Sequence, residues 1–127
     1  VAMVAFNRPE VHNAFDETMI REVIEAFRDL GEDESVRVII IASEGKSFCA
    51  GADLSEASSG PSSTDAMVTL LRLILEAPKP VVARLNGHVR AGGLGLVGAA
   101  DIVIASRAVT FDFTETGLGG ASWSIRK

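Results

Sequence analysis

Val36-Arg37-Val38-Ile39-Ile40-Ile41-Ala42 is the run that most limits what this chain can become: one arginine apart, it is apolar and mostly β-branched. A strand with one face in water alternates polar and apolar side chains, whereas an unalternated run reads as a strand covered on both faces. Other apolar stretches repeat the signal. Val1–Phe6 is a strand ended by Asn7-Arg8-Pro9, Pro80–Leu85 is a third strand, Asp101–Ala105 a fourth and Val109–Phe113 a short fifth. Helical patterns separate them, and strand–helix alternation without a long-period repeat points to an α/β layered fold.

Two helices are legible between the strands. Asp16 can cap the first, which runs to about Leu30, and Met19, Ile20, Val23, Ile24, Phe27 and Leu30 recur at three- and four-residue spacing as one buried stripe. Gly31 is expected to stop it. Thr64 is expected to cap the second, with Met67, Val68, Leu70, Leu71, Ile74 and Leu75 inside and Pro78 ending it. Ser43-Glu44-Gly45-Lys46 reads as a polar turn, and Ser55 to Ser63 as a low-complexity surface loop. The tail from Gly117 to Lys127 carries no strong pattern.

The 127 residues suffice for one domain. A net charge of −5 without a block of like charges argues against a general nucleic-acid or anionic-membrane surface. No apolar run approaches the roughly 20 residues that span a bilayer, and the start shows no signal-peptide pattern. The single cysteine, Cys49, excludes an internal disulfide framework, suits a reducing cytoplasm and reads as buried filler. His12 and His88 have no second histidine at metal spacing, so no metal site is assigned. His88 follows a tight turn and reads as a loop hydrogen-bonder.

Asn86-Gly87-His88-Val89-Arg90-Ala91-Gly92-Gly93-Leu94-Gly95-Leu96 follows the third strand and opens a short helix to about Ala100. Within it Gly93-Leu94-Gly95-Leu96-Val97-Gly98 fits the dinucleotide pattern G-x-G-x-x-G. That pattern needs its first glycine at the strand end and a full crossover helix after the third. Here the next strand begins three residues after Gly98, which leaves no room for the helix. A second small-residue segment, Ala50-Gly51-Ala52, also follows a strand and precedes an expected helix, which Asp53 can cap. Either the two segments pack backbone on backbone, or two of their N–H groups converge on one developing negative oxygen as a preformed oxyanion hole.

Taken together, Asn7-Arg8-Pro9 with Asn13-Ala14, Phe48-Cys49-Ala50-Gly51-Ala52-Asp53-Leu54, Pro78-Lys79-Pro80, Asn86-Gly87 leading to Ala91-Gly92-Gly93, Asp101-Ile102 and Phe111 to Glu115 resemble the crotonase superfamily, the enoyl-CoA hydratase/isomerase proteins. The resemblance runs to about Gly119 and matches roughly the N-terminal half to two-thirds of a family member. It implies a crotonase-like (ClpP/crotonase) spiral of ββα units, here one domain expected to be truncated at both ends, without the C-terminal helices that cover the acyl pocket and build the trimer. It implies an acyl-CoA thioester as substrate, no cofactor beyond the coenzyme A the substrate carries, and a homotrimer or dimer of trimers for the full-length form.

The resemblance also implies roles. Ala52 and Gly92 would supply the two oxyanion N–H groups, and Glu115 would act as general acid/base. Ala50, Gly51, Asp53 and Gly93 would be substrate-binding, with the Ala50 carbonyl meeting the adenine amine of coenzyme A. Hydratases of the family carry a further glutamate three residues after the oxyanion glycine, where this chain has Gly95. A single glutamate is the pattern of members that migrate a double bond. Glu10 also stands where many relatives carry a basic residue.

Overall fold

The computed structural model describes residues 1–50, 60–90, 93–112 and 124–126, with the backbone alone for 60–64, 112 and 124–126. Its elements are β1 (Ala2–Phe6), a 3-10 turn (Pro9–Val11), α1 (Glu17–Glu32), β2 (Ile39–Ser43), β3 (Ser47–Cys49), α2 (Gly60–Leu75), β4 (Val81–Leu85), β5 (His88–Arg90), α3 (Gly93–Ala99), β6 (Ile102–Ala105), β7 (Thr110–Asp112) and β8 (Ser124–Arg126). Two four-stranded sheets result, in the orders β1-β2-β4-β6 and β3-β5-β7-β8. The first is parallel throughout; the second is parallel except for the antiparallel β7–β8 pair.

The chain visits the first sheet, turns into the second and returns through a helix: β2-β3-α2, then β4-β5-α3, then β6-β7. This is the α/β spiral of ββα units that the resemblance implied. The repeat is invisible as a sequence period because its turns differ in length. Ile39 pairs with Val81 between β2 and β4, but Val82 pairs with Ile102 between β4 and β6, so one turn is about twice as long as the next.

β2 begins at Ile39, not Val36, because that is where both neighbours are present: Ile39 lies opposite Ala2 of β1 and Val81 of β4. Ile39, Ile41 and Ala42 are fully buried and Ile40 half-buried, which accounts for the unalternated run. Above the sheet, α1 turns Met19, Ile20, Val23, Ile24 and Phe27 into the core, where Phe6 meets Phe15 edge-on at 5.2 Å between ring centroids and Phe48 at 5.3 Å. The Asp16 carboxylate accepts from the Met19 N–H at 2.8 Å, a cap worth about 1 kcal/mol.

Several local expectations need correction. α1 continues through Gly31 to Glu32, since Lys79 Nζ donates to the Leu30 carbonyl at 2.5 Å and also to that of Asp33. Those bonds satisfy carbonyls that a helix end would otherwise leave to water. Just beyond, Ser35 donates from its N–H and hydroxyl to the Asp33 carboxylate, holding that exposed group below its usual pKa. α2 starts at Gly60, so residues 60–63 are helical rather than loop and Thr64 lies inside the helix instead of capping it. Val68 and Leu75 are exposed (49% and 66%), whereas Leu70 and Ile74 are fully buried, because α2 faces its neighbours along a narrower stripe than its apolar content suggested. β8 lies in the tail that carried no pattern. The expected cap at Asp53 falls outside the described residues.

Candidate functional site

The site expected from the sequence depends on two small-residue segments, and what holds the strands before them begins with Asn13. His12 and Asn13 both adopt left-handed backbone (φ 55° and 56°), a conformation asparagine tolerates better than most residues. The Asn13 side chain is fully buried. Its Oδ1 accepts from the Arg8 N–H at 2.7 Å, and its Nδ2 donates to the carbonyls of Glu44 and Ser47, each at 2.8 Å. The β1–α1 connection is thereby fastened to the turn between β2 and β3. Arg8 extends the link by donating from Nη1 to the Ala14 carbonyl at 2.7 Å and pairing with Asp16 at 3.2 Å. A cavity of about 330 Å³ opens here, lined by Phe6, Arg8, Asp16, Met19 and Val23 among others; of the expected site residues that are described, neither Ala50 nor Gly93 is among its lining.

The next turn of the spiral packs on the same place. The Asn86 side chain accepts from the Ser43 hydroxyl at 3.0 Å and donates to the Ser43 carbonyl at 3.3 Å. Gly87 lies so close to the β2–β3 turn that a Cβ would meet the Lys46 carbonyl oxygen at 2.3 Å. Only glycine permits that approach. The chain then enters β5, a strand absent from the sequence reading, which passed from the Asn-Gly turn straight to a helix. Three residues are too few for a periodicity to show.

β5 carries His88 in a strand rather than a loop. Its Nδ1 lies 2.6 Å from Thr110 Oγ1 on β7, while on the other side Ser47 of β3 is its register partner. Ser47 Oγ in turn stands 3.3 Å from Nδ1 of the exposed His12. Among the described residues no three His, Cys, Asp or Glu side chains come together as a metal would need.

Of the expected site residues, Ala50 and Gly93 are described. Ala50 is half-buried just after β3, and Gly93 is buried as the first residue of α3. Gly93 touches the end of β3: a Cβ there would lie 2.8 Å from Cys49 Cβ and 3.2 Å from the Cys49 carbonyl oxygen. The structure thus brings the flanks of the two small-residue segments together. Gly51, Ala52, Asp53, Gly92 and Glu115 lie outside the described residues. Cys49 is fully buried, as expected of filler. Gly93, Gly95 and Gly98 all lie within α3 rather than in a strand-to-helix turn, so the dinucleotide pattern has no phosphate loop behind it. Gly95 is exposed, and a Cβ there would make an ordinary 3.5 Å contact with the methyl carbons of Leu71, so packing does not require glycine.

The family model described as enoyl-CoA hydratase/isomerase matches residues 1–124. The fold superposes on the crystal structure of an enoyl-CoA hydratase from Mycobacterium avium with a TM-score of 0.83 at 39% identity, covering 92% of this chain and 46% of that one. An enoyl-CoA hydratase from Mycobacterium smegmatis gives a TM-score of 0.84 at 34% identity, covering 92% and 48%. The 1,2-epoxyphenylacetyl-CoA isomerase of Escherichia coli is 31% identical, covering 98% of this chain and 53% of that protein. The chain spans about half the length of the relatives it matches.

Proposed function

The chain belongs to the enoyl-CoA hydratase/isomerase family, and we propose that it acts on an acyl-CoA thioester by stabilising the thioester enolate between the N–H groups of Ala52 and Gly92, with Glu115 as general acid/base. One observation carries the reading. β3, β5 and β7 are adjacent and parallel, so their C-terminal ends, Cys49, Arg90 and Asp112, share one edge of the second sheet. Ala52 follows Cys49 by three residues, Gly92 follows Arg90 by two, and Glu115 follows Asp112 by three. Consecutive Cα atoms are about 3.8 Å apart, so chain length alone keeps these residues within about 11 Å of three strand ends, each about 5 Å from its neighbour. The contact of Gly93 with Cys49 draws two of the three segments closer still.

The chemistry follows from the residue types. When the Glu115 carboxylate takes a proton from the carbon next to the thioester carbonyl, the C–H electron pair forms the enolate C=C bond and the carbonyl π pair moves onto the oxygen. Fixed N–H donors stabilise that oxyanion, and losing one such donor costs about 3 kcal/mol in other enzymes. Returning the proton at another carbon migrates the double bond. Glycine at position 95 removes the second carboxylate that would prepare a water, so double-bond migration fits these residues better than hydration. The reaction needs no metal and no cofactor beyond the coenzyme A of the substrate. A homotrimeric assembly is part of the same reading for a chain of the relatives' full length.

Exchange of the thioester α-proton with deuterium from solvent, followed by NMR with a saturated acyl-CoA, tests the proposal. Exchange should be present in the wild type and lost in Glu115→Gln while calorimetry shows acyl-CoA binding retained. Undiminished exchange in that variant removes Glu115 from the mechanism. Binding without exchange in the wild type would identify an acyl-CoA-binding protein without turnover, a reading that the glycine at position 95 also favours.

A further inference from the structure

We infer that His88 is a positioning residue for this reaction: through Thr110 it fixes the strand that leads to Glu115 against the strand that leads to Gly92. The inference rests on the function proposed above. β5 and β7 are three residues each and share the register pairs Val89↔Phe111 and Arg90↔Asp112. A parallel ladder that short contributes few backbone hydrogen bonds, and parallel pairing is slightly weaker per residue than antiparallel. On its other side, among the described residues, β7 pairs with β8 over three positions.

The side-chain bond between His88 Nδ1 and Thr110 Oγ1, at 2.6 Å and half-buried at both ends, adds a side-chain link to the backbone pairing of the two strands. Its place in the chain gives it leverage. His88 is four residues before Gly92, and Thr110 five before Glu115, so a slide of β7 along β5 shifts the general base relative to the oxyanion donor. His88 is itself located from the far side, where its N–H donates to the Lys46 carbonyl at 3.3 Å and Gly87 presses on the same turn. It thus stands on the middle strand, between the one leading to Ala52 and the one leading to Glu115. A displacement of about 1 Å in a catalytic group can cost on the order of 100-fold in rate.

The geometry supplies its own controls. An asparagine at 88 puts a side-chain amide close to where the histidine Nδ1 stands, and a glutamine puts it near the position of Nε2. Thr110→Val removes the hydroxyl at constant shape, and Thr110→Ser keeps it. The α-proton exchange assay on the 127-residue chain, with kcat and KM separated and thermal melting as a folding check, should show about a 10-fold or greater fall in kcat for His88→Gln, His88→Ala and Thr110→Val. KM should stay within about 2-fold. His88→Asn and Thr110→Ser should recover most of the rate. The double variant His88→Ala/Thr110→Val should lose no more than either single one, since both remove one bond.

Equal losses in His88→Asn and His88→Gln, losses in KM rather than kcat, or additive losses in the double variant would overturn the inference. A wild-type rate in Thr110→Val with exchange intact overturns it alone and leaves the proposed function standing. Absence of exchange in the wild type overturns both.

Discussion

Gly93 sits against Cys49 at a distance that no side chain could share, its hypothetical Cβ only 2.8 Å from that of Cys49. Both residues are buried, and each adjoins one of the two segments that the proposed oxyanion hole requires. Gly93→Ala must therefore push α3 away from the end of β3. Overpacking of this kind costs about 1–3 kcal/mol, and the loss should register in urea unfolding. If the proposed function is right, the same shift disturbs the pairing of Ala52 with Gly92, so α-proton exchange should fall more than acyl-CoA binding does. Unchanged stability in this variant would count against the packing described here.

Asn13 makes a separate prediction, because its side chain satisfies three backbone groups at once. Asn13→Ala leaves the Arg8 N–H and the carbonyls of Glu44 and Ser47 without that partner. At about 1–3 kcal/mol for each unsatisfied buried group, partly relieved by water, a loss of about 3 kcal/mol is expected. Asn13→Asp should be nearly as damaging. A carboxylate can still accept from Arg8, but it turns acceptor against acceptor at the two carbonyls. Chemical denaturation of the three proteins provides the measurement, and a cost below about 1 kcal/mol for Asn13→Ala would contradict the buried network.

Gly87 and Gly98 separate two reasons for a glycine. A Cβ at 87 would meet the Lys46 carbonyl oxygen at 2.3 Å and the Ser47 Cα at 2.9 Å, whereas at 98 it meets nothing within 4 Å. Gly87→Ala should destabilise strongly, since the obstacle is backbone and cannot rotate away. Gly98→Ala, inside α3, should stabilise by about 0.5–1 kcal/mol through the helix preference of alanine. Opposite signs in thermal melting are the expected result.

How far the fold could be read from the sequence follows from the length of each element. α1 was legible because its buried stripe recurs from Met19 to Phe27 within a sixteen-residue helix and Asp16 marks its start. β2 was legible because its residues are buried on both faces. β3, β5 and β8, at three residues each, are too short for any alternation to emerge. The start of α2 was missed because Gly60-Pro61-Ser62-Ser63 has the composition of a loop, although proline is well suited to a first helical turn. The candidate site is marked in the sequence only by paired small residues, which fit packing and catalysis equally. The contact of Gly93 with Cys49 is a long-range fact that neither segment carries alone, and the link from His88 to Thr110 likewise depends on strand register.

Gly95 carries the last prediction, because there the space available and the expected chemistry can be tested together. Its Cβ position lies 3.5 Å from the two methyl carbons of Leu71, an ordinary contact, and the residue is exposed. Gly95→Glu should therefore fold, and should gain a few tenths of a kcal/mol from the better helix propensity of glutamate. If the proposed function is right, the new carboxylate stands where it can help Glu115 orient a water. Hydration of an enoyl-CoA, followed by loss of the conjugated thioester absorbance, should then rise at least about 10-fold over the wild type, within the range that one positioned acid or base contributes. Double-bond migration should change less. A variant that folds, binds the enoyl-CoA and gains no hydration would show that the glycine at position 95 is not what limits this chain to a single carboxylate.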